Sequence, residues 1–198
     1  AVRSVIHRGV IIGMLASLPA MAGVLVIADA LILGLFAYGA FDLAMVTPTA
    51  LVLMAYGVGI PAFILVKTLQ PAFYAAGDTK TPMWITIISV VINVGLSLIL
   101  MRVLAAAGLA LATSISLWCS AMILTVILVR RRRLDGSVLW PLIKIMVAAM
   151  IMAGLVYGLK QHLPAMLAWQ SLAILMLASI TIYAPLVIMT GIWRSLKA

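Results

Sequence analysis

Lys67 stands where a lysine is expensive. It lies inside a long apolar run, roughly two turns from the polar turn that follows. An ionisable group at such depth in a membrane span costs a few kcal/mol and usually faces a cavity or a partner. At about 100° per residue, Tyr56, Phe63, Lys67, Gln70 and Tyr74 fall on one narrow helical stripe. Polar and aromatic groups on one face, with apolar groups elsewhere, suit a helix that lines a hydrated cavity. The competing reading has Lys67 snorkelling to nearby headgroups while the aromatics pack or join an interfacial belt. Pro61 and Pro71 should kink this helix. Gly57 and Gly59 add either flexibility or room for close packing.

Further polar groups recur at helical spacing. Thr86, Ser89, Asn93 and Ser97 share a face, where Asn93 needs hydrogen-bond partners. Those partners belong either to a ligand or to a neighbouring helix held by small polar residues. Thr113, Ser116 and Ser120 form a weaker set that reads as packing. Gly154-x-x-x-Gly158 is a low-specificity close-approach motif. Beyond these, the chemistry is sparse. Cys119 is the single cysteine, and His7 and His162 fall at opposite membrane faces. No phosphate loop, zinc motif, nucleophile elbow or other nucleophile–base arrangement occurs. Neither an enzyme nor a bound cofactor or metal is expected.

The elements that must carry these residues follow from composition. Of 198 residues, 67% are hydrophobic and 9% charged, and the mean hydropathy is +1.32. A soluble domain carries roughly 25% charge, so lipid is the solvent for most of this chain. Six stretches are long enough to cross a bilayer as helices. They run from about Gly9 to Ala28, Thr49 to Ala76, Met83 to Met101, Gly108 to Val129, Leu139 to Leu159, and Ala168 to Ile192. The piece from Leu31 to Phe41 either extends the first helix or lies at the interface. Continuous apolar runs, rather than short alternating ones, argue against a β-barrel. The fold class is therefore all-α, a polytopic membrane bundle. Turns are expected at Gly77 to Pro82, with Thr81 as a cap before Pro82, at Asp135-Gly136-Ser137, and at Pro164.

The net charge of +9, from 13 Lys+Arg against 4 Asp+Glu, reads as a topology signal beside anionic lipid rather than a nucleic-acid surface. With the N-terminus cytoplasmic, Arg3, Arg8, Lys80, Arg130 to Arg133, Lys144, Arg194 and Lys197 fall inside. Only Arg102 and Lys160 fall outside. Both termini are thus expected in the cytoplasm, with Asp29 and Asp42 flanking an external connection. The four consecutive arginines read as a cytoplasmic anchor. No signal peptide is seen, and a start at Ala1 so close to a span suggests the tail of something longer.

The run from Tyr56 to Lys67 (Tyr56-Gly57-Val58-Gly59-Ile60-Pro61-Ala62-Phe63-Ile64-Leu65-Val66-Lys67) continues as Pro71-Ala72-Phe73-Tyr74-Ala75 and Asp78-Thr79-Lys80-Thr81-Pro82. It closely resembles the MurJ/MviN family of bacterial lipid II flippases. Phe36-x-Tyr38-Gly39-Ala40-Phe41 upstream, and Asn93 with Gly108 to Thr113 downstream, look like it too. After Asp29 the chain departs from the family, reading Ala30-Leu31-Ile32-Leu33 where Pro and a basic residue often occur. The resemblance implies the last six of fourteen helices in a fold shared with multidrug and oligosaccharidyl-lipid exporters. Residues 1–134 would form most of the second lobe, and 135–198 two extra C-terminal helices. Those two border a hydrophobic groove associated with the polyprenyl tail. The implied activity is translocation of undecaprenyl-linked peptidoglycan precursor across the bacterial inner membrane. Lys67 would meet the diphosphate, while Gln70, Tyr56, Tyr74 and Asn93 would line the path. Membrane lipids and the missing N-terminal lobe, or a partner chain, are the implied partners. The alternatives are an exporter of drugs or other lipid-linked sugars, and a non-transporting membrane scaffold.

Overall fold

The computed structural model describes residues 2–36, 42–132, 134, 136–162 and 168–189. The motif stretch at Tyr38–Phe41, Arg133, Asp135, Pro164, Ile192, Arg194 and Lys197 lie outside the described residues. Among the described residues there are seven α-helices: α1 (Val2–Phe36), α2 (Val46–Gly57), α3 (Ile60–Tyr74), α4 (Lys80–Leu104), α5 (Ala106–Arg130), α6 (Leu139–His162) and α7 (Ala168–Met189). Single 3₁₀ turns, Leu43–Met45 and Gly136–Val138, lead into α2 and α6. Because α2 and α3 together make one span, six segments among the described residues are long and apolar enough to cross a membrane. The chain is a multi-pass membrane protein of all-α class.

The first helix is uninterrupted from Val2 to Phe36. The Leu31 stretch extends it, because Ala30-Leu31-Ile32-Leu33 contains nothing that breaks a helix. Asp29 consequently lies within α1 and not in a connection. α1 is the hub of the fold, packing against α2, α3, α6 and α7, while α4 packs almost entirely on α5. In lipid, apolar burial does not drive helices together, so small residues and polar contacts must do so. The buried set follows that rule, with Ala62, Ala110, Ala112, Ala121, Ser114 and Ser116 all nearly inaccessible.

A close approach of α1 to α3 falls at Gly9-Val10-Ile11-Ile12-Gly13 in α1. A Cβ on Gly13 would sit 2.7 Å from Ile64 Cγ2 of α3, and one on Gly9 would sit 3.0 Å from Thr68 Cγ2. The Gly154/Gly158 pair makes no such approach, since nothing lies within 4 Å of a Cβ at either position. Two glycines four residues apart mark a face that permits contact, and only a partner helix decides whether contact occurs.

Prolines inside spans leave carbonyls that lipid cannot satisfy. Pro19 removes the donor for the Leu15 carbonyl, and the Tyr183 hydroxyl of α7 donates to it at 2.8 Å. Tyr183 of α7 thus turns inward to bond α1. At one end of the bundle, Lys160 Nζ of α6 meets Asp29 Oδ1 at 2.6 Å and the Val26 carbonyl at 3.0 Å. At the other end, Arg131 meets Asp78 Oδ2 at 2.7 Å and lies over the Phe73 ring. Asp78 also caps α4. Its carboxylate accepts from the Thr81 backbone N–H at 3.0 Å and the Thr81 hydroxyl at 2.8 Å. Thr81 is thus the donor in this cap and Asp78 the acceptor, with α4 beginning at Lys80.

Candidate functional site

The expected helix from Thr49 to Ala76 is broken at Val58-Gly59 into α2 and α3. Pro61, at the start of α3, has no N–H to continue the ladder. The Gly59 N–H bonds the Tyr56 carbonyl, tightening the turn. The Ala55 carbonyl, whose regular partner would be that N–H, accepts instead from the Ser114 hydroxyl of α5 at 2.6 Å. Trp118 Nε1 of α5 donates to the Val58 carbonyl at 3.0 Å. A Cβ on Gly59 would lie 2.6 Å from Ser114 Oγ, so glycine is what admits α5 to this distance.

Below the break, α3 has two unlike faces. Ala62, Val66, Leu69, Ala72 and Phe73 are buried against the bundle. Phe63, Lys67 and Tyr74 point away from it, and Gln70 is half-buried beside them. Phe63 and Tyr74 are 46% and 51% exposed, and Tyr56 of α2 is 49% exposed. The structure therefore brings all five stripe residues to the open side of one broken helix, as the spacing predicts. Lys67 Nζ lies 5.5 Å from the centre of the Phe63 ring. That cation–π distance steadies the ammonium without neutralising it, so its charge remains available to an anion.

Asn93 sits elsewhere, on α4 facing α5. Its amide nitrogen donates to Thr113 Oγ1 at 3.1 Å and Ser116 Oγ at 3.3 Å. Ser89 donates to the Ser116 carbonyl at 3.2 Å. The polar face of α4 thus forms a seam with the polar face of α5, which is the helix–helix contact its spacing allows. Among the described residues, no three His, Cys, Asp or Glu side chains gather as a metal site.

A second concave feature lies where the family resemblance implies a hydrophobic groove beside the two C-terminal helices. A cleft of about 430 Å³ opens between α1, α6 and α7, lined by Pro19, Gly23, Ile27, Met152, Met176 and Ile180 among others. Pro19 and Gly23 lack long side chains and so leave the space. The resemblance implied this groove, whereas the residues alone showed only small side chains in an apolar span, which are too common to single out.

Comparison with known proteins bears on this arrangement. The family model described as "Lipid II flippase MurJ" matches residues 1–180. A probable lipid II flippase MurJ of Rhizobium tropici is 36% identical over 160 residues, covering 79% of this chain and 30% of the relative. The corresponding protein of Rickettsia prowazekii is 42% identical over 112 residues, covering 57% of this chain and 22% of its own length. Lipid II flippase MurJ of Burkholderia cenocepacia is 30% identical over 151 residues, covering 75% of this chain and 29% of the relative. The chain thus spans less than a third of the length of these curated relatives. A solved structure, a lipid II flippase MurJ in an inward closed conformation, superposes on all of this chain with a TM-score of 0.79. The chain covers 44% of that structure, with 22% identity. The match over residues 1–180, together with the relatives, places this chain in the MurJ lipid II flippase family.

Proposed function

We propose that this chain is the C-terminal portion of a flippase. It moves undecaprenyl-linked peptidoglycan precursor from the inner to the outer leaflet of the bacterial cytoplasmic membrane, for cell-wall synthesis. The observation that carries the proposal is the exposed stripe on α2 and α3, with Lys67 at membrane depth on a face that no other described helix covers. The transported headgroup is large, polar and anionic, and its passage through hydrocarbon is costly. A hydrated cavity with a fixed cation lowers that cost, and alternating access across it moves the group between faces. Lys67 meets the diphosphate. Gln70, Tyr56 and Tyr74 offer hydrogen bonds to sugar and peptide, and Asn93, held by α5, completes the polar set. The cleft between α1, α6 and α7 is apolar and suits the prenyl tail.

An open stripe needs an opposing wall, which in this reading is the N-terminal lobe of a longer protein or a partner chain. Residues 1–134 form most of the second lobe, and 135–198 the two additional helices. Both termini are cytoplasmic. Support comes from the distribution of basic residues, with Arg131 at one end of the bundle and Lys160 at the other. The chain performs transport and not catalysis.

The test is reconstitution of the full-length protein in proteoliposomes and measurement of lipid II reaching the opposite leaflet. Lys67→Ala is expected to slow translocation roughly tenfold, as loss of a hydrogen bond to a charged group implies. Lys67→Arg should retain most of the rate. An unchanged rate in Lys67→Ala would remove Lys67 from the site.

A further inference from the structure

Broken membrane helices expose carbonyls, and in transporters such carbonyls commonly coordinate a cation. The break between α2 and α3 is filled differently. The Ala55 and Val58 carbonyls are already held by donors from α5, the Ser114 hydroxyl and the Trp118 indole N–H. Ser114 is 1% exposed, and Gly59 admits it at a distance where any side chain would collide. The break is thus pinned from one neighbouring helix at two successive points.

That pinning has a geometric consequence. Tyr56 precedes the break and Lys67 follows it, so their alignment on one face is not set by a continuous helix. The tight Gly59-to-Tyr56 bond overwinds the chain locally. The rotation of α3 relative to α2 must then be fixed from outside the pair. The two donors from α5 supply that constraint.

We infer that Ser114 and Trp118 are positioning residues, which set the bend between α2 and α3 and thereby place Tyr56 and Lys67 on the same face. This rests on the proposed role of Lys67. Neither residue touches the ligand, and both act through the backbone of the broken helix. Ser120 makes a suitable comparison. It is also buried on α5, but its hydroxyl donates to the Ser116 carbonyl of its own helix.

The test uses the full-length protein with Cys119→Ser and spin labels at Leu51→Cys in α2 and Ala76→Cys beyond α3. The distance between labels reads the bend, and lipid II binding in detergent reads the site. The paired change Ser114→Ala with Trp118→Phe is expected to shift or broaden the distance distribution. It should also weaken binding roughly fivefold, the effect of about one net hydrogen bond. Where Lys67→Ala is already present, the same pair should weaken binding clearly less, because part of its effect passes through Lys67. Ser120→Ala should change neither quantity. If the double variant does not accumulate, Trp118→Phe alone is read in the same way.

An unaltered distance overturns the inference, as does a moved bend with unchanged binding. Equal weakening with and without Lys67, or an equal effect from Ser120→Ala, also overturns it. Should Lys67→Ala itself bind lipid II normally, the reading of Lys67 fails while the distance still decides whether α5 sets the bend.

Discussion

Asp78 and Lys67 are both charged groups of the second span and its following turn, yet their surroundings give them opposite fates. The Asp78 carboxylate is satisfied by the Thr81 backbone N–H, the Thr81 hydroxyl and Arg131, which together hold its pKa at about 2, below the usual 3.8. Because the folded pKa is depressed, this cap contributes its full stability above about 3.8 and loses it as pH falls through about 2. The difference in unfolding temperature between the native protein and Asp78→Asn should therefore be constant across neutral pH. It should close as pH falls from about 4 to about 2. A difference that persists undiminished in that acid range would show that ionised Asp78 is not what holds the turn. Lys67, by contrast, has among the described residues the Phe63 ring beside its ammonium at 5.5 Å. Its type and depth were legible from the sequence because a lysine within an apolar run is rare. The pairing of Arg131 with Asp78 was not legible, since nothing in a run of four arginines says which one turns inward.

At the scale of helices, contact is decided by what each helix meets. Gly13→Ala should destabilise the fold by about 1–3 kcal/mol, because its Cβ would press on Ile64 at 2.7 Å in a packed contact. Gly154→Ala, with nothing within 4 Å, should change stability by less than about 0.5 kcal/mol. Thermal unfolding in detergent compares the two, and equal losses would contradict this assignment of the close approach. The same measurement on Tyr183→Phe should show a loss of about 1 kcal/mol, as the Leu15 carbonyl beside Pro19 loses its donor. No loss would mean that the carbonyl finds another partner. Six spans and their approximate limits could be read from hydropathy, because length and apolarity are local properties. The break at Val58-Gly59 was only partly readable. Pro61 announced a kink, but the donors that pin it come from Ser114 and Trp118, far along the chain. The α4–α5 seam was readable as polar spacing on two helices, although spacing alone left Asn93 between a ligand and a neighbour.

The bundle gathers α2, α3, α6 and α7 around α1, sets α5 against α2 and α3 with α4 on α5, and leaves one broken helix with a polar face turned outward. Its two ends are tied separately, by Asp78 with Arg131 and by Asp29 with Lys160. The ties lie at opposite ends of the spans, so α6 is fastened to α1 independently of the turn between α3 and α4, and Tyr183 fastens α7 to α1 at the Leu15 carbonyl. The cleft between α1, α6 and α7 therefore has a firm frame, and the stripe on α2 and α3 lies on a separate face. A lipid with a polar head and a long apolar tail matches that division, with head and tail received on different surfaces. The most direct measurement is photo-crosslinking of the full-length protein with lipid II carrying a photoreactive group on its peptide, followed by mapping of the adducts. Adducts should fall on α3 around Phe63, Gln70 and Tyr74, and not at the exposed Leu177 and Ile188 of α7. Adducts spread equally over both helices, or absent from α3, would contradict the assignment of the stripe to the headgroup path.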